Sequence, residues 1–381
     1  MERDIFDEEH HLFRESYREF LAREVTPYHE QWEAAGKVDR RLYSKAAEAG
    51  FMGINIPEEY GGGGSTDFRF NLIMAEEMWL AGVPGSAMGL TLHNDVIMPY
   101  LLTASSEHKK RWLPGCADGS LLGSIAMSEP GTGSDLAGMQ ATAIRTGDDY
   151  VVNGSKTFIT NGLLADFVIL AAKTDPSERH RGISLMIVED GTPGFARGRK
   201  LDKIGLKSQD TAELFFADAK VPVGNLLGEE GGGFAQLVTK LPQERLGIAM
   251  QAVAGAEAAF RLALDYCKSR NAFGTSIASF QNTRFVLAEM RTEIDIAQIL
   301  IDKQVMAHSV GNLTGVDAAE SKWWCTELQK KVTDQCLQLF GGYGYMEEYP
   351  IARLWRDTRA QTIYGGTTEI MKEIIGRDIV R

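Results

Sequence analysis

The feature that most constrains this chain is the period of its apolar residues, which changes twice along its length. In residues 1–120, Phe6, Leu12 or Phe13, Tyr17 and Phe20 fall near one stripe, and "RFNLIMAEEMWLA" repeats the habit, as amphipathic helices require. Over residues 121–230 the texture shortens to runs such as "GISLMIVE" and "TAELFFA", rich in β-branched and aromatic residues and separated by turn dipeptides. From residue 231 the helical period returns. Val286, Met290, Ala297, Ile301 and Val305 form one row and Trp324, Leu328, Val332 and Cys336 another, which fits antiparallel helices packed as a bundle. The order is helical, β, helical, an α+β fold class with domains expected at 1–120, 121–230 and 231–381.

Local punctuation refines this frame. Asn153-Gly154 and Asn161-Gly162 predict tight turns in an antiparallel sheet. Asp317 with Glu320 predicts a helix start and Gly341-Gly342 a helix stop. Gly61 to Gly64 lack the lysine followed by serine or threonine of a phosphate loop, so a flexible connection is expected there.

Composition removes whole classes of function. A chain of 381 residues with 44% hydrophobic content can bury a large core and reads as soluble and globular. Its net charge of −12, with no lysine- or arginine-dense block, argues against nucleic acid as a partner. Cys116, Cys267, Cys325 and Cys336 lack metal-ligand spacing and read as small buried apolar groups in a reducing compartment. The first 25 residues are too acidic for a transit peptide, and neither a signal peptide nor a membrane span is visible. The cytoplasm is expected, or an organelle matrix where a presequence has been left out.

Two glycine-rich segments carry the chemical signal. "AMSEPGTGSD", residues 126–135, is a strand end followed by a loop of glycines and hydroxyls, able to offer free N–H groups to an anionic or heteroaromatic ligand. A plain surface turn satisfies the same spacing. "QTIYGGTTEIMKEI", residues 361–374, runs from a short β-like stretch through Gly365-Gly366 into a helix, so something must approach its backbone closely.

Taken together, "SEPGTGSD", "NGSKTFITNG", "RNAFG", "QLFGGYGYMEEYPIAR" and "IYGGTTEI" occur in the order and at about the spacing of the flavin-dependent acyl-CoA dehydrogenases. The chain resembles that family over nearly its full length, and its long-chain branch through "LPQERLGIA" and "YGGTTEIMKE". The resemblance implies a middle antiparallel β-barrel or sandwich, a C-terminal four-helix bundle and FAD held between them. An acyl-CoA thioester would lie between flavin and a catalytic carboxylate, losing its α-proton to that base and a β-hydride to flavin N5. A homotetramer passing electrons to an electron-transferring flavoprotein, with no stable membrane insertion, is implied as well.

Position by position, the resemblance puts Ser128 and Thr160 near the flavin ring, the Met127 backbone beside them and Phe158 along the isoalloxazine. Gly133 belongs to the same loop, and Ser134 would sit by the pyrophosphate and thioester. Arg270, Phe273, Gln338, Gly341 and Gly342 match positions that reach the FAD of a neighbouring subunit. Thr367 and Glu369 would approach an anionic ligand edge at a helix start, while Arg245 and Gly366 would flank the substrate. Without the resemblance, Phe158 is a strand's core residue, Arg270 a solvated helix end and Thr367 an ordinary N-cap.

The base is the unusual part. Many relatives carry Tyr-Glu-Gly-Thr where this chain has Tyr364-Gly365-Gly366-Thr367, which by itself implies a non-catalytic acyl-CoA-binding or assembly subunit. The long-chain and isovaleryl branches place the glutamate on another helix, and "LPQER" matches that location at Glu244. Pro242 should kink the helix just before it and aim the carboxylate inward, where burial would raise its pKa. A solvated helix glutamate is the competing reading. Gly365 would then donate its N–H to the thioester oxygen and leave room for the carboxylate. An oxygen-using, oxidase-like relative of the same chemistry is the remaining alternative.

Overall fold

The computed structural model describes residues 3–381. Seven helices come first: α1 (Glu8–Phe20), α2 (His29–Ala35), α3 (Arg41–Glu48), α4 (Arg69–Leu80), α5 (Pro84–Thr91), α6 (Met98–Leu102) and α7 (Ser106–Ala117). Eight strands follow: β1 (Gly123–Ala126), β2 (Thr142–Thr146), β3 (Asp149–Thr160), β4 (Phe167–Lys173), β5 (Ile183–Glu189), β6 (Phe195–Lys200), β7 (Thr211–Pro222) and β8 (Leu226–Leu227). The chain closes with the long α8 (Gly233–Ser269), α9 (Gln281–Ser309), α10 (Gly315–Phe340), α11 (Pro350–Thr358) and α12 (Thr368–Ile379). The expected helical, β, helical order is the observed one.

The sheet runs β6-β7-β3-β2-β4-β5-β8, with β1 added beside β4. It is mostly antiparallel, but β1 and β2 both pair with β4 in parallel. Sequence explains why β4 sits centrally: Phe167 to Ala172 are all buried, as only a strand covered on both faces permits. Phe167, Ile169 and Ala171 face Met98, Tyr100 and Trp112 of the first helices. Val168, Leu170 and Ala172 face Val152, Leu214 and Phe216 of the sheet's own core. Each fully buried phenylalanine, isoleucine, leucine or valine of these rows contributes about 1.5–3 kcal/mol. A third, larger core joins Tyr17 and Trp79 of the first helices to Leu246, Met290 and Val332 of the last, so the two helical parts share one interior.

Several local expectations are corrected. Asn153-Gly154 is no turn, because β3 continues through it with a bulge between Val152 and Gly154. The hairpin turn lies at Gly147-Asp148, between the paired Thr146 and Asp149. Asn161 does turn the chain, at φ +58°, yet β3 and β4 are not neighbours, so it joins no hairpin. Gly61 to Gly64 are held rather than flexible: Gly63 and Gly64 donate to the carbonyls of Gly53 and Ile56 at 3.0 and 2.8 Å. Thr314, not Asp317 with Glu320, starts α10, through a reciprocal capping box with Asp317. Gly341, at φ +59°, ends that helix as expected. Trp324 lies outside the buried row, whose place is taken by Cys325. All four cysteines are buried and free. Among the described residues no helix is long and apolar enough to cross a membrane.

Candidate active site

Helix α8 passes through the middle of the molecule, packed against α4 and α10, and Glu244 to Ala256 form an unbroken buried segment. The helix is continuous across Pro242. Enclosure between α4 and α10 takes Glu244 out of water. Its Oε1 accepts a hydrogen bond of 3.0 Å from the Tyr100 hydroxyl of α6. Burial raises the Glu244 pKa to about 7 against the smaller opposing effects of Tyr100 and Arg245. The solvated-glutamate reading is thereby overturned: Glu244 is only 8% exposed.

The double-glycine turn lies against the same stretch of α8. Arg245 Nε donates to the Gly365 carbonyl at 3.3 Å, and Lys322 Nζ, from α10, donates to the Gly366 carbonyl at 2.6 Å. Lys322 is fully buried, and desolvation lowers its pKa to about 8. Two cations thus hold adjacent carbonyls, while the Gly365 N–H has no hydrogen-bond partner among the described residues. Both glycines adopt left-handed backbone, φ +67° and +103°. The stretch before them is a 3-10 turn, Arg359–Thr362, not the β-like segment its sequence suggests. The room expected at Gly365 is also taken: a Cβ there would meet Ile248 Cδ1 at 2.3 Å. Ile248 stands one helical turn beyond Glu244, so the space left by the glycine holds an isoleucine, not the carboxylate.

A second group gathers where β1 meets β3. Lys156, fully buried, donates to the Met127 carbonyl at 3.0 Å and pairs with Glu129 at 2.8 Å. Glu129 also accepts from the N–H groups of Gln140 and Ala141, and Thr157 N–H donates to the Ser128 carbonyl. The loop is therefore fixed at its base, while Gly133 and Ser134 stand exposed at its tip. Phe158 is 70% exposed with φ +61°, so it is not a strand's core residue. A bulky side chain in that conformation costs about 1–3 kcal/mol and marks a site where the surroundings impose it. The hydroxyls of Ser128 and Thr160 beside it have no hydrogen-bond partner among the described residues.

The remaining residues lie apart. Arg270, Gln338, Gly341 and Gly342 share an open cleft of about 490 Å³ with Tyr266 and Tyr343, and the Arg270 guanidinium lies 5.5 Å from the Tyr343 ring centroid. Phe273 follows the end of α8, 97% exposed and at φ +53°. Thr367 is the N-cap of α12, accepting from the Ile370 N–H at 3.4 Å, and Glu369 is exposed in the first turn.

The N-terminal, middle and C-terminal domain profiles of acyl-CoA dehydrogenase match residues 7–120, 124–219 and 231–380. The chain belongs to the acyl-CoA dehydrogenase family. The mitochondrial long-chain specific acyl-CoA dehydrogenase of Sus scrofa is 48% identical over 381 residues, covering 99% of this chain and 88% of that protein. The crystal structure of an acyl-CoA dehydrogenase from Geobacillus kaustophilus superposes with a TM-score of 0.96 at 48% identity, covering 99% of this chain and 100% of the other. A glutaryl-CoA dehydrogenase from Mycobacterium smegmatis, solved in complex with FADH2, gives 0.90 at 26% identity over 98% and 95% of the two chains.

This acyl-CoA dehydrogenase family member is a flavin-dependent oxidoreductase. Its residues fit the cofactor: an exposed aromatic held in a strained conformation, two unpaired hydroxyls and a loop fixed by a buried ion pair suit one face of a flat heteroaromatic ring. Sequence reading missed Tyr100, Lys156 with Glu129, and Lys322. Each is an ordinary residue inside a helix or strand, and only its burial beside another polar group reveals it.

Proposed function

We propose that this chain converts a fatty acyl-CoA to its trans-2-enoyl-CoA with Glu244 as the base. The supporting observation is one buried carboxylate, anchored on one oxygen by Tyr100 and adjoining a glycine turn with a free N–H. Ionised Glu244 would take the α-proton on Oε2, since Tyr100 already engages Oε1 and fixes the carboxylate plane. Negative charge then grows on the thioester oxygen, where the Gly365 N–H can donate, its carbonyl turned away toward Arg245. Lys322 and Arg245 keep the turn in register and add positive potential. FAD, when bound, supplies the acceptor for the β-hydrogen and its electron pair.

Met127, Ser128, Gly133, Ser134, Phe158 and Thr160 are the residues we assign to the flavin face in the same chain. Arg270, Phe273, Gln338, Gly341 and Gly342, exposed and remote from Phe158 in sequence, are assigned to the FAD of a neighbouring subunit in a homotetramer, and Thr367 and Glu369, which follow the double-glycine turn at a helix start, to an anionic edge of the cofactor. An electron-transferring flavoprotein is the proposed acceptor, and a reducing compartment such as the cytoplasm or a matrix suits four free cysteines. Anaerobic bleaching of the bound flavin across a panel of acyl-CoA thioesters tests the reaction; a holoprotein bleached by none of them would overturn it. Readmitting air separates an oxidase, whose reduced flavin would reoxidise at once.

The pH dependence has a defined sign. Glu244 must be ionised to accept a proton, and its pKa stands at about 7. The rate of flavin reduction in single turnover should therefore fall about tenfold per pH unit below that value and level off above it. A rate flat from pH 5 to 8 would assign the proton to another group.

A further inference from the structure

The sequence "HND" at positions 93–95 places three polar side chains inside the core, on a π-helical turn, Leu92–Ile97, between α5 and α6. The first two are tied to backbone groups of neighbouring segments. His93 Nε2 meets the Cys116 carbonyl at 3.1 Å, and Asn94 both accepts from the Gly53 N–H and donates to the Phe51 carbonyl. Asp95 differs. Its Oδ1 accepts from Asn71 Nδ2, and Gln243 Nε2 holds its backbone carbonyl at 2.7 Å, but its Oδ2 has no hydrogen-bond partner among the described residues.

That oxygen faces unfilled space. Gly247 is buried on α8, yet a Cβ built on it would meet a single heavy atom beyond its own stretch of helix, Asp95 Oδ2 at 3.7 Å. In a close-packed interior a buried glycine normally has neighbours all around its missing side chain. Gly247 stands three residues beyond Glu244, hence on the same face of α8 and roughly 4.5 Å further along its axis. The gap therefore continues from the carboxylate that would take the α-proton. Plain methylenes laid there would leave an Asp95 oxygen desolvated and unpaired, which is costly, whereas a hydroxyl group would donate to it.

We propose that Asp95 is a specificity-determining residue, selecting acyl-CoA thioesters that carry a hydrogen-bond-donating substituent, such as a hydroxyl, on the part of the acyl chain beside Gly247, a few bonds beyond the reacting carbons. The inference rests on the dehydrogenase reading, which places the acyl chain along this face of α8. A π-helical turn suits the role, since its extra residue displaces one side chain from the regular helical row. Asn71 holds the other carboxylate oxygen and Gln243 the Asp95 backbone, so that the free oxygen stays aimed at the gap.

The test compares a plain straight-chain acyl-CoA with isomers hydroxylated at successive positions from the γ-carbon outward. Dissociation constants are measured by anaerobic calorimetry on the holoprotein, alongside flavin bleaching. The wild type should bind one hydroxylated isomer about tenfold or more tightly than the plain chain, and Asp95→Leu should bring that ratio to about one. Gly247→Ala, which meets Asp95 at ordinary contact distance and removes a glycine from a helix, should fold normally and reduce the same ratio. A wild type that binds the plain chain at least as tightly as every isomer, or a ratio that neither variant changes, overturns the assignment of Asp95. Failure of every thioester to bleach the flavin would instead strike the reaction itself, while the binding ratios would still decide the role of Asp95.

Discussion

Glu244→Gln should lower kcat/KM by about 10³-fold, the middle of the range for loss of a general base, and leave a yellow, folded protein of unchanged oligomeric state. The amide keeps the shape of the side chain and an oxygen to accept from Tyr100 at 3.0 Å. What it loses is the second ionisable oxygen, the one aimed at substrate. Stability moves the other way. A carboxyl whose folded pKa is raised from 4.5 to about 7 holds a proton that the unfolded chain has released, so it loses stabilising effect as pH rises through that window. At pH 8 the glutamine variant should therefore melt no lower than the wild type. Lost turnover with retained or improved melting temperature separates chemistry from unfolding. Turnover within about threefold of wild type would instead favour a base elsewhere.

Much of this site is legible in the chain because its glycines are. Gly365 and Gly366 mark left-handed backbone that other residues rarely adopt, and the loop at 126–135 announces itself by composition. Glu244 is different. Its helix gives no periodic sign that one glutamate among many points inward, and the resemblance alone singles it out. Pro242 suggests a local device, a kink, but the burial of Glu244 is a global matter: α8 is enclosed by α4 and α10, elements far apart in sequence. The same limit explains the other misses. Asn153-Gly154 has turn chemistry, but long pairing between β3 and β7 absorbs it as a bulge. Gly61 to Gly64 have loop composition, but the N–H groups of Gly63 and Gly64 find the carbonyls of Gly53 and Ile56, and those of Gly61 and Gly62 find Glu58 and Pro57. Asp95 and Lys322 are polar residues at positions where the local pattern offers no partner, and only tertiary packing reveals what each faces.

Gly365→Ala carries the second large effect, and its cause can be divided by experiment. One methyl group meets two separate obstacles. The backbone at φ +67° disfavours any side chain, at a cost of about 1 kcal/mol, and the new Cβ would lie 2.3 Å from Ile248 Cδ1. Either the isoleucine or the turn must move, and the turn carries the N–H proposed to face the thioester oxygen. Displacement of a donor by about 1 Å can cost about 10²-fold in rate, so kcat/KM should fall by 10- to 100-fold with about 1–3 kcal/mol of stability. Ile248→Val deletes only Cδ1, and the next nearest isoleucine atom, Cγ1, is already at 3.9 Å. In the double variant the steric part should vanish and the backbone part remain. A coupling energy of about 1 kcal/mol in stability, with most of the lost kcat/KM restored, is the expected result; strict additivity would mean that the contact with Ile248 does not set the turn. The same contact bears on where the base can stand. A glutamate at position 365 would begin with this Cβ clash, so Ile248 and the Gly365 backbone together disfavour the alternative site and leave the proton to the carboxylate one helical turn before Ile248.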